Sequence, residues 1–97
     1  MIDITVQPDK ITVSGHAGYA EPGKDIVCAA ISTLTQVLIA SVEELTAAKI
    51  KHAVNSGYTV IDIKESTERA QVLLDSFFIG CQMVAEQYPE YVRVTKR

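Results

Sequence analysis

The sequence predicts an α+β domain of ββαββαβ order, a largely antiparallel sheet packed with two helices, and three observations support this. Five short stretches alternate apolar and polar residues with a period of two, as half-buried strands do. Two longer stretches repeat apolar residues every three or four positions, the spacing of helices. A pair of strands joined by turn-forming residues precedes each helix, which favours hairpins over a doubly wound parallel sheet.

Ile2, Ile4 and Val6 alternate with Asp3, Thr5 and Gln7, Pro8-Asp9 supplies a turn, and Ile11 and Val13 continue the pattern, so the chain begins with a hairpin. Ser14 to Asp25 holds Gly15, Gly18, Pro22 and Gly23, too many breakers for a regular element, and connections of this length in a small domain are usually functional or disordered. From Ile26 to about Leu45 the pattern is helical through Val27, Ile31, Leu34, Leu38 and Val42, with Asp25 placed as the N-cap. This helix is apolar around much of its circumference, so it needs cover on more than one side, from a second layer or a second subunit. Ile50, His52 and Val54 alternate next, Asn55-Ser56-Gly57 offers turn chemistry, and Thr59, Ile61 and Ile63 complete a second hairpin. On that strand His52 reads as a partly buried structural histidine.

Ser66 reads as the start of the second helix, with Arg69 at the capping-box position and a stripe of Leu73, Phe77, Cys81, Val84 and Tyr88 running to Pro89. Gly80 suggests close packing there against another backbone. Tyr91 to Lys96 alternates once more as a last strand. With no repeat, linker or low-complexity tract, residues 1–97 read as a single domain.

Composition narrows the function. A chain of 97 residues buries about 60–65% of its unfolded surface, enough for one modest core and too little for a two-domain cofactor enzyme. Nine basic against twelve acidic residues give a net charge of −3, and only Arg93, Lys96 and Arg97 approach a basic cluster, so nucleic acid is not an expected partner. The most apolar stretch, Ile26 to Ala40, is interrupted by Ser32, Thr33, Thr35 and Gln36 and falls short of the ~20 residues of a membrane span, so no membrane association is expected. The alternating N-terminus does not read as a secretory signal, which makes a cytoplasmic location the default and a disulfide between Cys28 and Cys81 unexpected.

The chemistry concentrates in residues 14–32, where a histidine leaves a strand, a glycine-rich loop follows and a cysteine enters a helix. With Asp25 as N-cap, Cys28 is at N3, where unpaired backbone N–H groups and the helix dipole favour an anion such as a thiolate. An imidazole in reach could take the thiol proton and later give it to a leaving amine, so His16 and Cys28 have the parts for covalent acyl transfer. The same helix terminus could donate to an oxyanion. Ser32, four residues after Cys28, shares its helical face, and Asp25 either caps the helix or orients His16 as the third member of a triad. Gly15, Gly18 and Gly23 permit positive φ and suit a substrate loop that moves over a peptide.

A blander account fits the same spacing, with Cys28 a small buried hydrophobe and His16 a satisfied loop residue. Gly18 to Lys24 also matches G-x-x-x-x-G-K, but Asp25 stands where a magnesium-binding hydroxyl belongs and Glu21 would repel phosphate. A structural zinc site needs four ligands and only His16 and Cys28 are near each other, so neither metal nor cofactor is expected. Cys81 reads as core, and Phe77, Phe78, Tyr88 and Tyr91 as core or as a pocket for an aromatic side chain.

Gly15-His16-Ala17-Gly18, then Gly23-Lys24-Asp25-Ile26-Val27-Cys28-Ala29-Ala30, with Ser32 four residues after the cysteine, resembles the ribosomal-processing cysteine protease family (Prp-like). The length and the order of elements agree along the whole chain. The resemblance implies a bacterial endopeptidase that removes the N-terminal extension of a large-subunit ribosomal protein, cutting after a hydrophobic, phenylalanine-containing stretch. It implies Cys28 as nucleophile, His16 as general base, Asp25 and Ser32 as supporting residues, and a homodimer. A peptide-binding or ribosome-associated module without cleavage, or a thiol redox sensor using Cys28 alone, are the alternatives.

Overall fold

The computed structural model describes residues 1–97. Two hairpins, β1 (Ile2–Val6) with β2 (Lys10–Ser14) and β3 (Lys49–Asn55) with β4 (Tyr58–Glu65), alternate with helices α1 (Ile26–Leu45) and α2 (Glu68–Gln87), and β5 (Val92–Lys96) follows. The strands form one sheet in the order β3-β4-β2-β1-β5, antiparallel except where β5 runs parallel to β1. The chain reaches that parallel position through α2, as a parallel neighbour requires a crossover.

Register carries the alternation across the sheet. Ile4 lies opposite Val13 and Val94, Val6 opposite Ile11, and Ile11 opposite Ile61, so apolar residues of four strands share one face, and both helices cover it. A slip of one residue in any pairing would turn that strand's apolar set outward. The other face is polar: Arg93 Nε donates to Asp3 Oδ1 at 2.7 Å and Lys10 Nζ lies 3.7 Å from Asp62 Oδ1. Pairs so exposed contribute at most about 1 kcal/mol each.

α1 buries Val27, Ile31, Thr35, Leu38, Ile39 and Val42. By length and composition α1 is apolar enough to cross a membrane, contrary to the reading of its first fifteen residues, yet in this fold that apolar stripe is seated on the sheet. Its outward side still carries Ile26, Val37 and Leu45, each more than half exposed, and α2 adds Val72, Ile79 and Met83. The two layers therefore leave part of the helices' apolar circumference uncovered.

Three local expectations are corrected. The N-cap of α2 is Thr67, whose side chain accepts from the Ala70 amide, and not Ser66, so the capping-box position moves from Arg69 to Ala70. His52 is exposed, because β3 is an edge strand of which only Ile50 is partly buried. Gly80 admits a side chain instead of a backbone: a Cβ there would lie 2.9 Å from Leu34 Cδ2, across the contact between the helices.

Candidate active site

The loop between β2 and α1 is pinned at both ends and in the middle. At its start Gly15 adopts φ +96°, and any side chain there would run into the Met1 carbonyl, so the turn out of β2 requires glycine. Two residues later Ala17 is buried in the core, and its amide donates to Cys28 Sγ at 3.4 Å. The backbone that carries His16 is thus fastened beside the sulfur. Midway, the ring of Tyr19 meets Tyr88 and Tyr91 edge-on, with centroids 5.5 and 5.2 Å away. The tyrosines at the α2–β5 junction hold a loop side chain, which accounts for them better than a pocket does. Further on, the Lys24 amide donates to the Glu21 carbonyl across a turn with Pro22 and Gly23 at its centre, Gly23 at φ +85°.

Asp25 ties this loop to α1. Oδ1 accepts from the Val27 and Cys28 amides at 3.0 and 2.9 Å, and Oδ2 from the Tyr19 and Ala20 amides at 2.9 and 3.3 Å. The Cys28 amide above all, with those of Ala20, Tyr19 and Val27, holds the carboxyl below the ordinary aspartate value of 3.8, while burial acts in the opposite direction. Of the two roles open to Asp25, the geometry is that of a cap, since all four of its hydrogen bonds go to backbone and none to His16. The arrangement also answers two other expectations. The N–H groups of Val27 and Cys28 are engaged by a carboxylate, so in this conformation they do not offer themselves to an oxyanion. The same carboxylate occupies the amide cradle that a phosphate would need.

Cys28 is half-buried in the first turn of α1, while His16 and Ser32 are exposed, and all three line one pocket of about 260 Å³. Its walls are α1 from Cys28 to Ile39 and the end of the β3–β4 hairpin from Val54 to Thr59, with Ile2 and Val13 from the sheet. No Asp, Glu, Lys or Arg lines it, and the ionisable side chains on its walls are His16, Cys28 and Tyr58. The Ser32 hydroxyl makes no hydrogen bond to the thiol. Gly18 and Gly23 lie in the open part of the loop, where nothing stands within 4 Å of a built Cβ. No three His, Cys, Asp or Glu side chains are grouped as metal ligands would be.

Sequence spacing singled out His16, Cys28 and Asp25 but not their neighbours Ala17 and Gly57. Gly57 was visible only as part of an Asn-Ser-Gly turn.

Cys81 differs sharply from Cys28. It is wholly buried on α2 and burial pushes its thiol up to about 12. Iodoacetamide at neutral pH should therefore label one cysteine per native chain, Cys28, and both only after denaturation, as peptide mass mapping would show. Labelling of Cys81 at a comparable rate in native protein would contradict the packing described.

The cysteine protease Prp family model matches residues 1–93. The ribosomal processing cysteine protease Prp of Staphylococcus aureus is 31% identical over 100 residues, covering 96% of this chain and 94% of that protein. Two crystal structures of the S. aureus protease superpose closely. The complex with a covalently linked product peptide has a TM-score of 0.89 at 26% identity, covering 99% of this chain and 97% of the other. The complex with a substrate peptide gives 0.78 at 25% identity with the same coverage. A family model that spans residues 1–93, a relative 31% identical along nearly the whole chain and a fold that superposes from end to end place this chain in the family of ribosomal processing cysteine proteases.

Proposed function

We propose that Cys28 is the nucleophile and His16 the general base of an endopeptidase that removes the N-terminal extension of a large-subunit ribosomal protein. The observation that carries this is the convergence of His16, from the end of β2, and Cys28, from the start of α1, on one pocket, with the Ala17 amide on the sulfur. In the reaction His16 takes the thiol proton, the sulfur attacks the scissile carbonyl, and the tetrahedral adduct expels the amine, which receives the proton from the imidazolium. Water, deprotonated by the same imidazole, then attacks the thioester and frees the acyl product and the thiol. Ser32 borders the pocket one turn beyond Cys28, where its hydroxyl can meet bound peptide. The loop with Gly15, Gly18 and Gly23 is the cover over that peptide.

Pocket walls without fixed charge suit the hydrophobic stretch expected before the cleavage point, since a charged substrate residue would lose hydration and find no partner. Val54→Asp, at an exposed position of that wall, should raise KM about ten-fold, or 1.4 kcal/mol, with the melting temperature unchanged. Equal KM values for the two proteins would remove the hairpin from the peptide site. A substrate in ribosome assembly supports a cytoplasmic location. The exposed Ile26 and Val37 on α1 and Val72, Ile79 and Met83 on α2 support a homodimer. The test is to incubate the protein with a peptide spanning the extension junction and sequence the products. A single new N-terminus is expected, and an intact peptide under reducing conditions would overturn the proposal.

A further inference from the structure

We infer that Gly57 is a positioning residue for His16: the turn between β3 and β4 is the seat on which the imidazole rests. This deepens the reading of His16 as the base and rests on it. A general base needs its ring held in one orientation, and the third member of a triad usually does this by hydrogen bonding. Here Asp25 has both oxygens engaged by backbone amides, and the imidazole makes no hydrogen bond within the chain. What the ring does touch is Gly57. A Cβ built on Gly57 would lie 2.7 Å from His16 Nε2, 3.2 Å from Cε1 and 3.3 Å from Cδ2, so the Nε2 end of the ring lies against the bare α-carbon. The Nδ1 end is then the one directed away from the turn.

The seat is built by the sheet. In the β2–β4 ladder Ser14 lies opposite Tyr58, and one step further the Gly15 amide donates to the Gly57 carbonyl at 2.8 Å. His16 follows directly, so its height above the turn is inherited from strand register. Glycine is needed at position 57 for two separate reasons. Its φ of +74° is left-handed, and the volume a side chain would fill is taken by the ring.

Gly57→Asn separates these reasons, because asparagine tolerates positive φ but brings a Cβ. The variant should fold with a near-native melting temperature and lose on the order of 100-fold in kcat, with KM little changed, as expected when a catalytic group is displaced by about 1 Å. A double-mutant cycle ties the loss to the histidine: in a His16→Ala background, Gly57→Asn should leave the rate of Cys28 alkylation where His16→Ala alone puts it. The native protein provides a test that no folding defect can spoil, since a nuclear Overhauser effect should connect the His16 ring protons to the Gly57 α-protons. Absence of that effect, wild-type kcat in folded Gly57→Asn, or an undiminished effect of Gly57→Asn without the imidazole would each overturn the seat. If His16→Ala itself cleaved normally, the role of His16 as base would fail instead.

Discussion

Replacing Cys28 with alanine is expected to abolish peptide cleavage, a loss on the order of 10⁶-fold, while leaving a folded protein that still binds the peptide. The structural cost is small. Cys28 is half-buried, and its sulfur accepts a single hydrogen bond, from Ala17, whose removal costs about 1 kcal/mol. His16→Ala should fold equally well, since the side chain is exposed and makes no hydrogen bond, and should lose roughly 10²–10⁴-fold, almost all of it in kcat. The two losses should not add. With the nucleophile gone, removing the base has nothing left to impair, so the double variant should match Cys28→Ala. Progress curves with the junction peptide, together with binding of the same peptide by the inactive variants, check all of this. Cleavage that survives Cys28→Ala would eliminate the mechanism. Equal binding by every variant with no cleavage by the native protein would leave a peptide-binding module, and a peroxide response lost with Cys28 but indifferent to His16 would mark a thiol sensor.

The features legible in the sequence are those set by local chemistry. Period-two alternation located all five strands because each has one face against the helices, and Asp25 announced the start of α1 because a cap acts on amides only two and three residues away. The features that escaped depend on pairing over long separations. Gly57 reaches His16 only once β2 and β4 are in register, and Tyr19 meets Tyr88 and Tyr91 only once α2 has carried the chain back beside β1. His52 alternates as a buried residue would, but alternation does not say which strand stands at the sheet edge, where only Ile50 of β3 is partly covered. For Ser66 and Thr67 the failure was local: two hydroxyl residues in succession can both cap, and the choice fell to the one that reaches the Ala70 amide.

Asp25→Asn should separate two functions that the native carboxylate performs with its two oxygens. Asparagine caps a helix as well as aspartate does, so its carbonyl can keep the Val27 and Cys28 amides, and α1 should remain stable. Its amide group would then face the Tyr19 and Ala20 amides, donor against donor, and the middle of the loop would lose that anchor and be held by the tyrosine contacts. Because Ala17 and His16 hang on the same loop, cleavage should fall on the order of ten- to a hundred-fold with little change in melting temperature. Acid should act on the native protein in the same direction. The folded carboxyl titrates below 3.8, so the anchor is complete above that value and is released only as pH drops through the lowered folded value. Hydrogen exchange at Tyr19 and Ala20 should accordingly be slow in native protein near neutrality, accelerate below pH 3.8 relative to the intrinsic rate, and be fast at every pH in Asp25→Asn. Amides that stay equally protected in both proteins would mean that the aromatic contacts suffice to hold the middle of the loop, and that the second carboxylate oxygen contributes nothing to positioning His16.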